Sequence, residues 1–236
     1  MRLDKFLADT TALTRSLASK AVKQKRVQVN GELAKSAALK LTKTDAVQLD
    51  NELIPWPEGL RYFVLHKPQG YVCANSDSLH PLVFDLLKGV INKQDLHTIG
   101  RLDLDTTGLL LITDDGQFSH RLTSPKHKIE KTYRAHLAEP LDSDAEALFA
   151  QGIMLEDDEK PTLPAKLERI SDTEMRLTIC EGRYHQVKRM FAALGNLVVK
   201  LHRERFGALN LSEMNLNEGE FRQLTAAELL QLNGGQ

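Results

Sequence analysis

The chain has 236 residues, of which 42% are hydrophobic and 27% charged, with a formal net charge of −1. That balance excludes a disordered or collagen-like chain, and no segment approaches the ~20 apolar residues of a membrane span, so a soluble, cytoplasmic protein is expected. The near-zero net charge conceals an asymmetry: residues 1–44 hold ten Lys/Arg against three Asp/Glu, or +7, which leaves −8 for the rest, the pattern of a basic polyanion anchor on an acidic body.

Leu3, Phe6 and Leu7 recur at helical spacing and predict a short first helix. Thr14 is placed to cap a second helix over 15–24, with Leu17, Ala18, Ala21 and Val22 as its apolar side. Residues 27–29 alternate as a strand and run into Asn30-Gly31, a hairpin-turn pair; residues 46–49 can close the small sheet. Residues 51–60 carry two prolines and a glycine and read as a linker between an amino-terminal domain (1–56) and a larger body (61–232), with Trp56 free to dock on either. In the body, strands are predicted over 62–66, 109–113, 131–137 and 197–201, and a turn over 67–70. A helix is expected over 116–122, another from an Asp142 cap to about Gln151. Met175, Leu177 and Ile179 face one way along a further strand, Arg176 and Thr178 the other. Residues 182–194 read as a helix with Val187, Phe191 and Leu194 inward and Gly195 as its stop, and Thr225 with Glu228 forms a capping box for the last helix. The fold class is α+β: a small amino-terminal α/β module, then a body whose mixed, mainly antiparallel sheet is flanked by helices.

Four segments of the body are richer in charge and glycine than a fold alone requires: residues 65–71 (LHKPQGY), 100–103 (GRLD), 130–133 (EKTY) and 181–191 (EGRYHQVKRMF). The second sets Arg101 and Asp103 immediately before a buried strand, on one side of an extended backbone. Asp103 has a structural alternative, capping the turn at 105–108, and Tyr133 an alternative as a half-buried packing residue. Lys188 and Arg189 on a helix are ordinarily solvated, and Arg183 and His185 at its start can touch phosphate. Asp114 and Asp115 look like a turn and carry no assigned chemistry. Only two cysteines occur, Cys73 and Cys180, with no C-x-x-C and no H-E-x-x-H, which argues for a reducing compartment and against a metal site. Asp4 and Asp9 interrupt the amino terminus and argue against a secretory signal.

Residues 2–7 (RLDKFL) through 26–31 (RVQVNG) resemble the S4-type RNA-binding domain over roughly residues 1–55. That resemblance implies that Arg2, Lys5, Arg15, Lys23 and Arg26 face RNA phosphates. The four body segments, with residues 201–207 (LHRERFG), resemble the pseudouridine synthases of the RsuA type across about 61–224. This second resemblance implies isomerisation of a uridine to pseudouridine in ribosomal RNA, with Asp103 as nucleophile and no cofactor. It implies a basic partner for Asp103 at Lys188, where many members carry Arg, so that a point charge replaces a bidentate fork. Arg101 would enter the RNA stack or hold the extruded nucleotide, Tyr133 would stack on the flipped base, and Ile179 would give an apolar wall. Within this type, residues 182–190 are most similar to enzymes of small-subunit (16S) ribosomal RNA, so the expected partner is that RNA or a small-subunit assembly intermediate, met by a monomer. Two alternatives remain open at this point: a large-subunit enzyme of the same type, and a non-catalytic RNA-binding assembly protein. A hydrolase using a metal on Asp103, Asp105, Asp114 and Asp115 is disfavoured because no His or Glu is spaced to complete a shell.

Overall fold

The structure, a computed structural model, describes residues 1–56 and 59–234. The chain divides into two compact units, one of residues 1–60 with 87–96, the other of residues 61–86 with 97–236.

In the first unit, helix α1 (Leu3–Thr10) and helix α2 (Arg15–Lys23) precede four short strands. The Thr14 side chain accepts from the Leu17 amide and caps α2 as its position predicted. Leu17 itself is 48% exposed, so the buried side of α2 is narrower than expected and consists of Ala18, Ala21 and Val22. Strands β1 (Val27–Val29), β2 (Glu32–Leu33), β3 (Val47–Leu49) and β4 (Glu52–Ile54) form an antiparallel sheet in the order β2-β1-β3-β4. Strand β4 corrects the linker reading for 51–56. Asp50 and Asn51 both take positive φ, which closes a tight hairpin that returns the chain onto β3. Trp56 docks on this unit, its ring 4.6 Å from that of Phe6 and its indole N–H donating to the Asp45 carbonyl at 2.7 Å. Pro57 and Glu58, also in the expected linker, lie outside the described residues.

The second unit is built on a nine-stranded mixed sheet. Its strands are β5 (Tyr62–Lys67), β6 (His97–Ile99), β7 (Thr106–Thr113), β8 (Lys131–Leu137), β9 (Lys166–Arg169), β10 (Glu174–Ile179), β11 (Val198–Phe206), β12 (Leu209–Asn210) and β13 (Phe221–Gln223). The main path runs β13-β5-β7-β11-β8-β10-β9, with β6 on β7 and β12 on β11. Among these strands in the described residues, β7 and β11 alone pair in parallel, with an isolated parallel bridge between Val72 and Leu82. Helices α3 (Gly116–Thr123), α4 (Ala145–Gln151), α5 (Gln186–Ala192) and α6 (Ala226–Leu232) complete it. Asp115 caps α3 by accepting from the Gln117 and Phe118 amides, and Thr225 with Glu228 forms the expected capping box. Asp142 is not the cap of α4: the helix starts after Asp144, whose side chain makes no cap bond. Helix α5 is shorter than predicted, because residues 182–185 are not helical and His185 adopts a left-handed conformation (φ 46°, ψ 34°) just before it. Leu194 beyond its end is half-buried. Among the described residues, no helix is long and apolar enough to cross a membrane.

Strand β7 is buried along nearly its whole length, as the apolar run 109–113 predicted. Across its second edge it pairs with β11 at residues 106–108 and with β6 at 111–113. The parallel contact puts Gly108 so close to β11 that an added Cβ would lie 2.3 Å from the Arg203 carbonyl oxygen, and the glycine sits at φ +112°. No L side chain fits there on either count. Gly108→Ala is therefore expected to destabilise the second unit by at least about 2 kcal/mol, read as a fall in Tm; an unchanged Tm would show that the two strands can separate at no cost.

Candidate active site

The second unit holds a cavity of about 510 Å³ whose lining includes Arg101, Asp103, Tyr133, Ile179, Arg183 and His185. Three structural devices bring them together. The segment 100–105 enters β7 after a positive-φ Gly100 (φ +71°) and carries Arg101 and Asp103 to the cavity. The alternation of β8 and β10 turns Lys131, Tyr133, Leu177 and Ile179 to the same face. The left-handed turn at His185 then aims the start of α5 back at Asp103.

The Asp103 carboxylate meets Lys188 Nζ at 3.3 Å and His185 Nε2 at 3.4 Å. Its side chain takes no turn amide in the described residues, so the structural alternative of a capping Asp103 is not what the fold uses. Lys188 is shared, and its nearer partner is Asp105 at 2.6 Å. Burial acts against the charge on Lys188, but the hydrogen bond to Asp105 and the charges of Asp103 and Asp105 outweigh it and raise its pKa. Asp105 shows the mirror image: burial opposes its ionisation, the Lys188 contact prevails, and its pKa falls below the usual carboxylate range. Lys188 is thus an ammonium held charged between two carboxylates, which suits a point charge better than a planar fork.

Arg101 is exposed at the cavity edge, and Tyr133 and Ile179 are 7% and 3% exposed in its wall. Arg183 lines the cavity, but its guanidinium is occupied: it pairs with Asp158 at 2.7 Å and Glu181 at 3.2 Å and donates to the Lys160 and Pro161 carbonyls. That geometry holds the 156–161 loop onto the start of α5. Tyr184, 68% exposed, stacks on His185 with ring centroids 3.8 Å apart.

On the first unit, Arg2, Lys5, Arg15, Lys23 and Arg26 are all exposed. Arg2 pairs with Asp4 at 2.7 Å, Arg15 reaches Asp4 at 3.7 Å, Lys5 pairs with Asp9 at 3.0 Å, and Arg26 with Asp50 at 2.5 Å. Arg26–Asp50, exposed on both sides, contributes roughly 0–1 kcal/mol, so a phosphate can replace that carboxylate at little cost, whereas Asp4 is itself buried and ties Arg2 and Arg15 to the protein.

Sequence reasoning passed over Lys67. It ends β5 and is fully buried, yet its ammonium donates to the main-chain oxygens of Pro68 (3.1 Å), Asp103 (3.0 Å), Leu104 (3.4 Å) and Thr106 (2.8 Å). Burial pulls its pKa down, opposed by the nearby carboxylates of Asp105 and Asp103. The signal available was a lysine closing an apolar strand directly before Pro-x-Gly. Asp105 was also missed as a partner of Lys188, although it lies two residues beyond Asp103, the spacing that linked Arg101 to Asp103. The expected turn role of Asp114 and Asp115 is what the fold shows: Asp114 pairs with Arg61 at 2.7 Å and Asp115 caps α3. Among the described residues, no cluster of three or more His, Cys, Asp or Glu could hold a metal ion.

A larger cleft, about 980 Å³, lies on the opposite face of the same strands, lined by Thr132, Arg134, Arg176, Thr178, His202 and Glu204 among others. Several of its charges are committed to one another, Glu204 to Arg134 at 2.5 Å and to Arg176 at 3.0 Å.

Removing the Lys67 ammonium leaves the 103–106 segment without its anchor. Lys67→Met is expected to cost about 1–3 kcal/mol of stability through the stranded carbonyls, and to lower turnover by between about tenfold and 10²-fold through a loosened Asp103. A melting curve and a single-turnover rate check both; a variant with wild-type values for each would remove Lys67 from the site's support.

Residues 61–193 match the family described as RNA pseudouridylate synthase, and residues 1–47 match the S4 domain. A Haemophilus influenzae protein named ribosomal small subunit pseudouridine synthase A is 51% identical over 98% of this chain and 99% of its own length. Proteins of the same name from Vibrio cholerae and Escherichia coli are 54% and 50% identical, each over 97% of this chain and 98% of their own lengths. A solved structure described as a pseudouridylate synthase superposes with a TM-score of 0.70, is 51% identical, and covers 98% of this chain and 99% of its own.

Proposed function

The chain belongs to the RNA pseudouridylate synthase family, and from that premise we propose that it isomerises one uridine of small-subunit (16S) ribosomal RNA to pseudouridine with Asp103 as nucleophile. The observation that carries the residue assignment is the Asp103 carboxylate standing in a cavity beside Lys188 and His185, at 3.3 and 3.4 Å, with Tyr133 and Ile179 in the same wall. The substrate follows from relatives about 50% identical over nearly the whole chain and named for the ribosomal small subunit.

The reaction breaks the bond from uracil N1 to ribose C1′ and joins C5 to C1′. One proton leaves C5 and one arrives at N1, so electrons and atoms balance and neither a redox cofactor nor ATP is called for. A carboxylate is a competent covalent partner when ionised, and Lys188 supplies the neighbouring positive charge. The target nucleotide must leave its stack to reach Asp103, at a cost of a few kcal/mol. Stacking against an aromatic ring such as Tyr133 returns roughly 1–3 kcal/mol. Ile179 closes the apolar side of the slot, and Arg101 at the rim takes the space the base has left or holds its phosphate. All these groups come from one catalytic unit, so the enzyme acts as a monomer, in the cytoplasm where its RNA is made. The S4-like module, residues 1–56, anchors the RNA through Arg2, Lys5, Arg15, Lys23 and Arg26, contacts that position without reading sequence.

The test is a pseudouridine assay on unmodified ribosomal RNA, free and in small-subunit particles. Alkali-resistant carbodiimide adducts are mapped by primer extension. Wild type is expected to give one new stop in small-subunit RNA and Asp103→Asn none, with RNA affinity within a few-fold of wild type. Substantial activity in Asp103→Asn would end the nucleophile assignment, and a stop confined to large-subunit RNA would end the substrate assignment. Separately, changing the five basic residues of the first unit to Gln should flatten the salt dependence of RNA binding. Each lost phosphate contact removes about 0.7–0.9 from the log–log slope, and an unchanged slope would place the anchor elsewhere.

A further inference from the structure

The wall of the active-site cavity contains two cations that the reading above leaves without a task. Lys131 and Arg203 both line it, 8% and 1% exposed. They are placed by strand register: Arg203 on β11 sits opposite Tyr133 on β8, and Lys131 on β8 sits opposite Phe206 on β11 and Ile179 on β10. Arg203 Nε donates to the Leu109 carbonyl at 2.7 Å, its Nη1 lies 3.5 Å from the Tyr133 hydroxyl, and its Nη2 is buried with no partner. Lys131 Nζ donates to the Ile129 carbonyl at 3.1 Å and stands 5.6 Å from the Phe206 ring centroid, a ring that Arg203 shares at 5.3 Å.

Among the described residues, neither cation has a carboxylate within ion-pair distance. Asp103, the obvious candidate, is taken by Lys188 and His185. Burial and the charge of Arg203 push the Lys131 pKa down, so the two cations work against each other in the free protein. Unpaired buried charge costs several kcal/mol. A fold retains it where an anion arrives to occupy the field, and here the groups flank the proposed base-stacking residue.

We propose that Lys131 and Arg203 form a positive floor beneath Tyr133 that stabilises the negative charge developing on the uracil during isomerisation. This rests on the pseudouridine synthase reading and deepens it. When the N1–C1′ bond breaks, its electron pair leaves with the base and spreads over N1, O2 and O4. If the carboxylate instead adds at C6, the displaced π pair moves through C5 onto O4. Either route loads the base with negative charge until C5 bonds to C1′, the C5 proton departs and N1 is protonated. A fixed positive field in a site from which water is excluded is the form of stabilisation that costs no reorganisation at the moment of reaction. The ribose must lie against Asp103 with its phosphates toward the rim, so cations buried in the wall beside Tyr133 and Ile179 meet the base. Arg203 also positions the Tyr133 hydroxyl, so the floor and the stacking ring are one assembly.

The experiment compares Arg203→Gln, Arg203→Lys, Lys131→Gln and Lys131→Arg with wild type under single-turnover conditions. The substrate is small-subunit ribosomal RNA transcribed with uridine or with 5-fluorouridine. Fluorine at C5 withdraws charge, makes the base a better leaving group and leaves no C5 proton, so loss of the 5-fluorouridine reports bond cleavage. The Gln variants are expected to lose about 10²–10³-fold in rate on uridine, with RNA affinity within a few-fold. On 5-fluorouridine the deficit should shrink by about tenfold, because a base that carries its own charge well needs less help. The charge-preserving variants should recover most of the rate. Melting curves establish that each variant is folded, and the Lys131 variants carry the test if the more deeply buried Arg203→Gln does not fold. Equal deficits on both substrates, or charge-preserving variants no better than Gln, would overturn the proposal and leave a packing role. Wild type failing to make pseudouridine would instead bring down the reading beneath it, and the proposal with it.

Discussion

Four main-chain oxygens converge on the buried ammonium of Lys67, three of them from the segment 103–106 that carries Asp103 into β7. This is a cation solvated by backbone dipoles in place of water. It removes the freedom of a loop that would otherwise lie at the open end of a strand, because every carbonyl that turned away would leave the charge less well solvated. The loop in turn sets Asp103 against Lys188 and His185. Strand β7 continues from the same point into the most deeply buried part of the sheet, so Asp103, the proposed nucleophile, and the core share one rigid element. Positioning of this kind is what a covalent mechanism demands, since a displacement of about 1 Å at the nucleophile costs about 10²-fold in rate.

The neighbouring strands β9, β10, β8 and β11 treat charge in opposite ways on the two faces of the sheet. On the outer face, Arg134, Arg176, Glu204, Glu168 and Glu174 pair with one another, and Glu204 ionises readily despite burial because two guanidinium groups outweigh it. On the inner face, Lys131 and Arg203 are buried with no carboxylate within ion-pair distance among the described residues. Alternation along a strand separates the two sets by a single residue step. The proposed function places the substrate on the inner face, although the outer cleft is larger.

Much was legible in the sequence. The Thr14 and Thr225 caps, the Asn30-Gly31 hairpin and the alternation of Met175, Leu177 and Ile179 are local, and local chemistry decided each. The motif around Asp103 was legible for the same reason, being contiguous. Errors fell where a distant partner decided the outcome. Residues 52–54 look like linker and become a strand because β3 offers an edge. Leu17 looks like core and stays exposed because the helix packs through its small residues. Nothing in the composition of residues 87–96 shows that they group with the first unit.

By itself, then, the sequence determined the two-part organisation, the basic charge of the first module, the mixed sheet with its buried central strand, and the residue types of an RNA-modifying site, because these depend on periodicity, turn chemistry and charge within short windows. Only the tertiary structure decided that Lys188 is shared between Asp103 and Asp105, that Lys67 faces inward to hold the catalytic segment, and that Arg203 and Lys131 lie buried and unpaired beside Tyr133. Those facts depend on which strand lies next to which: the parallel register of β7 and β11, made possible by the missing Cβ of Gly108, brings together residues 94 positions apart, such as Leu109 and Arg203, a separation over which no local pattern carries information.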